Sequence, residues 1–288
     1  MKISRILSKA TGMILILAVI LSIAPVAAFA AENGPYADTS GHWAENAIAQ
    51  WSDYGVLKGD NGSFRPDDPI TRAEMAAVLD RVMKYQSTDS PVFTDVSPSA
   101  WYYDNVRHLA AAGVVTGVGG GSFAPDRNIT RAEAAVMIAR AFHIADGSGE
   151  TAVFPDAADI ADWAADAVQG LKDAGYINGF PDGGFHPKDT ITRAEAATIL
   201  DNMVGLLIDA AGEHDYAGLG EAVGIVVINT DGAAVKNLKV NGGLIVAAGV
   251  GEGETYLENV EVAGGVYVEG GGEDSVYFNN CTIRELVI

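Results

Sequence analysis

Three arginines, Arg72, Arg131 and Arg193, recur at intervals of 59 and 62 residues, each inside the pentapeptide Ile-Thr-Arg-Ala-Glu. In each copy the threonine precedes a glutamate by three positions: Thr71 and Glu74, Thr130 and Glu133, Thr192 and Glu195. That spacing forms a capping box, in which the Thr hydroxyl accepts from the N–H three residues on and the Glu carboxylate accepts from the Thr N–H. These six residues are therefore read as structural caps. The arginines then stand at the first helical position, where unpaired N–H groups and the positive end of the helix dipole favour an anion. A guanidinium placed there can clamp a carboxylate in a bidentate fork. A salt bridge to one of the chain's many acidic residues is the competing use.

Three more sets of residues recur in the same order, at intervals within two residues of these. Trp43, Trp101 and Trp163 offer flat apolar platforms for a sugar ring, or core residues for an amphipathic helix. Asp38, Asp95 and Asp156 offer acceptors for sugar hydroxyls, or caps for that helix. Gly59, Gly117 and Gly179 permit close approach of a ligand to backbone, or mark a plain turn.

The elements that must position these residues follow from the repeat itself. Its copies span 36–85, 93–144 and 154–207 and open on Tyr36, Phe93 and Phe154. From Trp43 to Leu57, Trp43, Ala47, Ile48, Trp51 and Tyr54 fall at helical spacing. Gly55, with Gly113 and Gly175 in the other copies, suits the left-handed residue that ends a helix. A Gly/Asp/Asn/Pro-rich loop follows, with Phe64, Phe123 and Phe185 as its buried anchors. The second helix carries Met75, Val78, Leu79 and Val82 on one face. A helix-loop-helix unit of this size cannot bury its apolar face alone, so the three copies must pack together.

Composition narrows the function classes. The 288 residues carry a formal charge of −20, which argues against nucleic acid as a partner, since phosphate binding requires a basic face. Cys281 is the only cysteine, so no intramolecular disulfide and no cysteine-based zinc site is expected. His42, His108, His143, His186 and His214 lack metal-ligand spacing, and no cofactor is implied. The loop Gly59-Asp60-Asn61-Gly62 is ion-friendly, but its counterpart from Gly117 to Gly121 has no carboxylate, so calcium is not a shared feature. Residues 1–30 read as a signal peptide. Lys2, Arg5 and Lys9 precede an apolar run from Met13 to Ile23, and Ala28-Phe29-Ala30 supplies a cleavage signature. An N-terminal membrane anchor is the alternative.

The aromatic-x-Asp opening, the tryptophan-bearing helix, the Gly-x-Phe-x-Pro loop and the Thr-Arg-Ala-Glu signature together resemble the S-layer homology (SLH) domain, in three tandem copies over 36–207. The resemblance implies repeats arranged like a trimer within one chain, with grooves between neighbours. It also implies a partner: a secondary cell-wall polysaccharide, typically an acidic glycan carrying pyruvylated amino sugars. Departures from the pattern are Tyr36 in place of Phe, Thr39 after the first Asp, Tyr102-Tyr103 after the second tryptophan, and Ala157 after the third Asp. None touches an arginine.

Residues 208–221 read as a linker and 222–288 as a β-rich segment with its own repeat. Asn237-Leu238-Lys239-Val240, Asn259-Val260-Glu261-Val262 and Asn280-Cys281-Thr282-Ile283 align at intervals of 22 and 21 residues. This period suggests a short β-solenoid, with a small β-sandwich as the alternative. The final coil has no cap, so either the chain is a truncated member of a longer family or its β edge is covered by another surface-protein chain. Lys236, Lys239, Glu258, Glu261, Glu269 and Arg284 alternate as solvated strand positions would, so no catalytic residue is assigned.

The expected architecture is α+β and multidomain: three helix-loop-helix repeats in a pseudo-threefold helical bundle, then a short all-β, solenoid-like segment. The expected function is non-covalent anchoring of a secreted surface protein to the bacterial cell wall, with no enzymatic activity. An S-layer lattice subunit and a polysaccharide-active enzyme with its site in the β segment are the alternatives.

Overall fold

The structure, a computed structural model, describes residues 36–145, 147, 154–219, 221–222 and 224–288. The targeting segment 1–30 lies outside the described residues. Among the described residues no helix is long and apolar enough to cross a membrane.

Each repeat contributes two helices: α1 (Glu45–Asp53) and α2 (Arg72–Met83), α3 (Tyr103–Ala111) and α4 (Arg131–Ala141), α5 (Asp162–Asp173) and α6 (Arg193–Met203). The first helix of each pair ends two residues before a glycine at positive φ: Gly55 at 68°, Gly113 at 72° and Gly175 at 76°. The second helix of each pair starts at a complete capping box. Phe64, Phe123 and Phe185 are buried beneath the connecting loops, where truncating a phenylalanine typically costs about 3–5 kcal/mol.

The repeats close into a ring. Helix α2 packs on α3, α4 on α5, and α6 on α1, so the second helix of each repeat leans on the first helix of the next. At the centre the isoleucines that precede the capping boxes exchange backbone hydrogen bonds in a cycle. Ile129 N–H donates to Ile70 O at 3.0 Å, Ile191 N–H to Ile129 O at 3.3 Å, and Ile70 N–H to Ile191 O at 3.0 Å. No repeat satisfies these groups by itself, and leaving them buried and unpaired would be costly.

The remaining chain is a parallel β-solenoid. Its strands are β1 (Val204–Ile208), β2 (Gly212–Asp215), β3 (Glu221–Ala222), β4 (Ile225–Ile228), β5 (Ala233–Lys236), β6 (Lys239–Val240), β7 (Leu244–Val246), β8 (Thr255–Glu258), β9 (Glu261–Val268), β10 (Val276–Asn279) and β11 (Thr282–Val287). One sheet runs β2-β5-β8-β10. The other runs β1-β4-β7-β9-β6-β3, with β11 also on β9, whose length lets it pair with both β6 and β7. All the strand pairings are parallel, which replaces the sandwich alternative. The proposed linker at 208–221 is also corrected, because β2 lies within it and forms the first rung of the four-stranded sheet. Gly212-Glu213-His214-Asp215 has no apolar alternation to betray a strand. Its pairing with β5 is a contact between coils. Likewise β1 begins one residue after α6, inside the span assigned to the third repeat, because the apolar run Val204–Ile208 reads equally well as helix.

The solenoid and the bundle share one core, in which Ile225, Val227, Ile245 and Ala247 join the helical residues. The buried Asn229 amide donates to Val82 O at the end of α2, at 2.7 Å. Along one corner of the solenoid a side-chain ladder sets the register. Asn237 donates to Asp215 at 2.8 Å, Asn259 to Asn237 at 3.0 Å, and Asn280 to Asn259 at 2.6 Å. All three asparagines sit at φ of 52–55°, a left-handed conformation that Asn tolerates better than most residues. The ladder begins on Asp215, an acceptor without a donor, so every amide donates to the coil before it.

Asn259→Ala is expected to destabilise the chain by about 2 kcal/mol, one part lost hydrogen bond and one part backbone strain. Asn259→Gly removes the ladder but not the conformational fit, and is expected to cost about 1 kcal/mol. Urea denaturation of both variants measures the difference; equal losses would remove the backbone contribution.

Candidate functional site

Each arginine of the Thr-Arg-Ala-Glu signature leaves its own repeat. Arg72 Nε donates to Phe123 O of the second repeat, Arg131 Nε to Phe185 O of the third, and Arg193 Nε to Phe64 O of the first, all at 2.8 Å. The guanidinium carbons lie over the same phenylalanine rings, at 4.8, 5.1 and 4.6 Å from the centroids. Each arginine also faces the capping-box glutamate of the next repeat: Arg72 with Glu133 at 3.4 Å, Arg131 with Glu195 at 3.1 Å, and Arg193 with Glu74 at 3.0 Å. The arginines are 5–8% exposed. The salt bridge, the competing use of these arginines, forms in all three copies, and Arg72 and Arg131 also line clefts. Burial pushes the three guanidinium pKa values down, and the partner glutamates oppose that shift.

The tryptophans are not core residues. Trp43, Trp101 and Trp163 are 64%, 61% and 59% exposed, and they precede or open the first helices whose buried faces are formed by other residues. Of the two uses open to Trp43 from its helical spacing, a core position on α1 is excluded. The fold instead buries Ala44, Ala47, Ile48 and Trp51 there. Two of the exposed indoles line clefts with an arginine. One cleft, of about 380 Å³, joins Arg72, Gly117 and Trp163; the other, of about 310 Å³, joins Arg131, Gly179 and Trp43. Every repeat thus supplies one element to each cleft: an arginine, a glycine loop with its second helix, or a tryptophan. The volumes lie in the range of small ligand sites.

The third equivalent set, Arg193, Gly59 and Trp101, differs in state. Arg193 Nη2 donates to Lys58 O at 2.8 Å, and Arg81 Nη1 donates to Val56 O at 2.9 Å. The protein's own carbonyls thus take up guanidinium hydrogens that the other two positions leave free. Among the described residues neither Arg72 Nη2 nor Arg131 Nη2 has a hydrogen-bond acceptor.

The aspartates do not cap the first helices, whose N-cap positions are Ala44, Tyr102 and Ala161; they hold loop backbone instead. Asp38 accepts from Phe64 N–H at 2.9 Å and Arg65 N–H at 2.7 Å. Asp95 accepts from Phe123 and Ala124, and Asp156 from Phe185 and His186, at 2.7–2.8 Å. Each carboxylate thereby pins a loop whose second donor sits at φ of 56–58°. The glycines serve the same loop. A Cβ at Gly59 would lie 2.4 Å from Ser63 O and from the Tyr36 ring, and one at Gly117 would lie 2.6 Å from Ser122 O. A Cβ at Gly179 would lie 2.8 Å from Gly183 O.

Sequence reasoning missed the residues that vary between copies. Arg127 and Arg140 line the Trp163 cleft, and Phe180, Ile199 and Asn202 line the Trp43 cleft. A search for what the repeats share passes over such positions by construction. Elsewhere, Lys236 pairs with Glu213 and Glu258, and Lys239 with Glu261, along the outside of the solenoid, as solvated strand residues do.

The model of the S-layer homology domain matches residues 35–76, 92–135 and 153–197. Among curated proteins the chain is 32% identical to a surface-layer 125 kDa protein of Lysinibacillus sphaericus, over 73% of its own length and 18% of the relative's. It is 30% identical to an endoglucanase of a Bacillus species, over 86% of its own length and 27% of that enzyme's. It is 31% identical to the S-layer protein EA1 of Bacillus anthracis, over 56% of its own length and 19% of that protein's. The chain therefore spans less than a third of the length of each of these relatives.

Two outcomes test this geometry. Arg131→Ala would strand Glu195 and the Phe185 carbonyl, and is expected to cost about 2–3 kcal/mol in denaturant unfolding. Burial raises the carboxyl pKa of Asp38, Asp95, Asp156 and Glu133, but donors outweigh it: two loop N–H groups at each aspartate, and Arg127 with the Thr130 N–H at Glu133. All four stand below their ordinary values. A lowered folded pKa gives stability that is complete above the unfolded value near 4 and is lost as pH falls through the folded value. Unfolding free energy is therefore expected to fall between about pH 5 and pH 3. Asp95→Asn should flatten that slope, and an unchanged slope would remove the loop clamp from the account.

Proposed function

The chain carries three tandem S-layer homology domains, and we propose that it is held on the bacterial cell wall through two of its grooves, each taking a unit of an anionic, pyruvylated secondary cell-wall polymer. Domains of this kind anchor surface and S-layer proteins to the cell wall, which makes the cell surface the place where the chain works. The observation that carries the finer reading is the exposure of Trp43 and Trp163 beside arginines that are almost wholly buried. Leaving a large flat aromatic in water forgoes favourable burial, so the indole is available to a partner with an apolar face. A pyranose ring presents such a face of C–H groups. The neighbouring guanidinium edge supplies directed donors for a carboxylate or a sugar oxygen.

Two such sites on one rigid body raise retention on a polymer, because the second binding event becomes intramolecular. The proposal is of a binding protein and assigns the chain no catalytic step.

The test is co-sedimentation of the full chain with purified cell-wall sacculi, before and after removal of the secondary polymer. The arginines hold the ring together, so the variant of choice is Trp43→Ala/Trp163→Ala, which touches only exposed side chains. Sedimentation is expected to need the polymer. The double variant should weaken it by at least about tenfold, roughly 1.4 kcal/mol, with an unchanged melting temperature. A chain that stays in solution with intact sacculi, or sediments equally with stripped ones, would overturn the reading.

A further inference from the structure

The two open clefts differ in charge. The cleft beside Trp163 is lined by Arg72, Arg127 and Arg140 against one carboxylate, Glu133, a net charge of +2. Glu133 is already held by both Nη atoms of Arg127, so its charge is largely answered before Arg72 approaches at 3.4 Å. Arg140 is exposed and makes no ion pair among the described residues. The same position in the first repeat is Arg81, which is tied to the Val56 carbonyl. On a chain of net charge −20, this cleft is a local positive site.

The cleft beside Trp43 is built otherwise. Its only charged lining residues are Arg131 and Glu195, paired at 3.1 Å and together neutral. Phe180 stands where the other cleft has Val118, and Asn202 where it has Arg140. The Arg131 guanidinium carbon lies 4.5 Å from the Phe180 centroid and 5.1 Å from that of Phe185, so two aromatic rings pack on it. The cleft therefore presents aromatic surface and uncharged polar groups, the chemistry of a neutral sugar bearing hydroxyl or acetamido substituents.

We infer that the two grooves divide the polymer between them: the Trp163 groove takes the unit that carries the carboxylate, and the Trp43 groove takes a neutral unit. This inference rests on the glycan-binding reading above and adds the assignment of ligand class to groove. Wall attachment would then need both kinds of unit at a spacing the rigid body can span. A polymer stripped only of its acidic substituents would keep one contact and lose the other.

The test uses the full chain and two probes of the same shape. One is the methyl glycoside of N-acetylglucosamine bearing a 4,6-pyruvate ketal; the other bears a neutral 4,6-isopropylidene ketal. The indole N–H resonances of Trp43 and Trp163, assigned with Trp43→Phe and Trp163→Phe, report each groove separately during titration. At Trp163 the charged probe is expected to bind about tenfold more tightly than the neutral one, a preference that shrinks as salt rises. At Trp43 the two probes should bind within about twofold of each other. Arg140→Gln, a change at an exposed side chain, should cut the preference at Trp163 and leave Trp43 as it was.

Equal preference at the two indoles, stronger preference at Trp43, or no response of Trp163 to the charged probe would overturn the assignment. Sedimentation with sacculi separates that failure from a failure of anchoring. A chain that sediments in a polymer-dependent way yet shows equal preference is anchored without division of labour. A chain that does not sediment loses both readings.

Discussion

The structure depends on an arginine that cannot find its acceptor within its own repeat. Arg72, Arg131 and Arg193 each reach a phenylalanine carbonyl in the following repeat, across 51, 54 and 129 residues of chain. The last of these separations closes the ring, because the third repeat must come back to the first. The central isoleucines obey the same rule with their backbone groups. A buried guanidinium without partners is so unfavourable that partial assemblies are penalised: two repeats would leave one arginine, one glutamate and a pair of backbone groups unanswered. Three repeats in one chain form the smallest cycle in which every such group in this set is paired.

The same closure makes the grooves. An arginine from one repeat, a glycine loop from the next and a tryptophan from the third meet only when all three are in place. Folding and the formation of the clefts are therefore coupled. Nε and Nη1 of each arginine hold the ring, while at two of the three positions, Arg72 and Arg131, Nη2 has no acceptor among the described residues and the arginine lines a cleft. In the third, Lys58 and Val56 supply carbonyl acceptors to Arg193 and Arg81. Pseudo-symmetry in the fold thus coexists with three unlike grooves, because the residues that shape the ring recur and those that line the clefts do not.

The solenoid is attached to the bundle as a continuation of it. Helix α6 passes into β1 without a connecting loop, and the first coils bury Ile225, Val227, Ile245 and Ala247 against helical residues. His143, just beyond α4, stacks on Tyr267 at 4.3 Å and bonds Glu269 at 2.8 Å. Asn229 reaches the end of α2. The two parts are thus joined by packed side chains and hydrogen bonds as well as by the chain itself.

The sequence by itself determined whatever depends on near neighbours along the chain. Thr71 and Glu74 form a capping box because three residues of helix bring their atoms together, and Gly55 ends α1 because its φ needs no side chain. The repeat register, the buried phenylalanines and the coil period with its asparagines followed from the same local rules. The tertiary structure alone decided where Trp43 faces, why Asp38 is tied to the Phe64 loop, that Gly212–Asp215 is a strand, and which guanidinium hydrogens remain free. Each of these depends on groups more than 20 residues apart, whose meeting is fixed by ring closure or coil stacking. Repetition reveals the residues that every copy needs. It is silent on how unlike neighbours at Arg81, Arg140 and Asn202 make three grooves differ, and that difference exists only once the copies face one another.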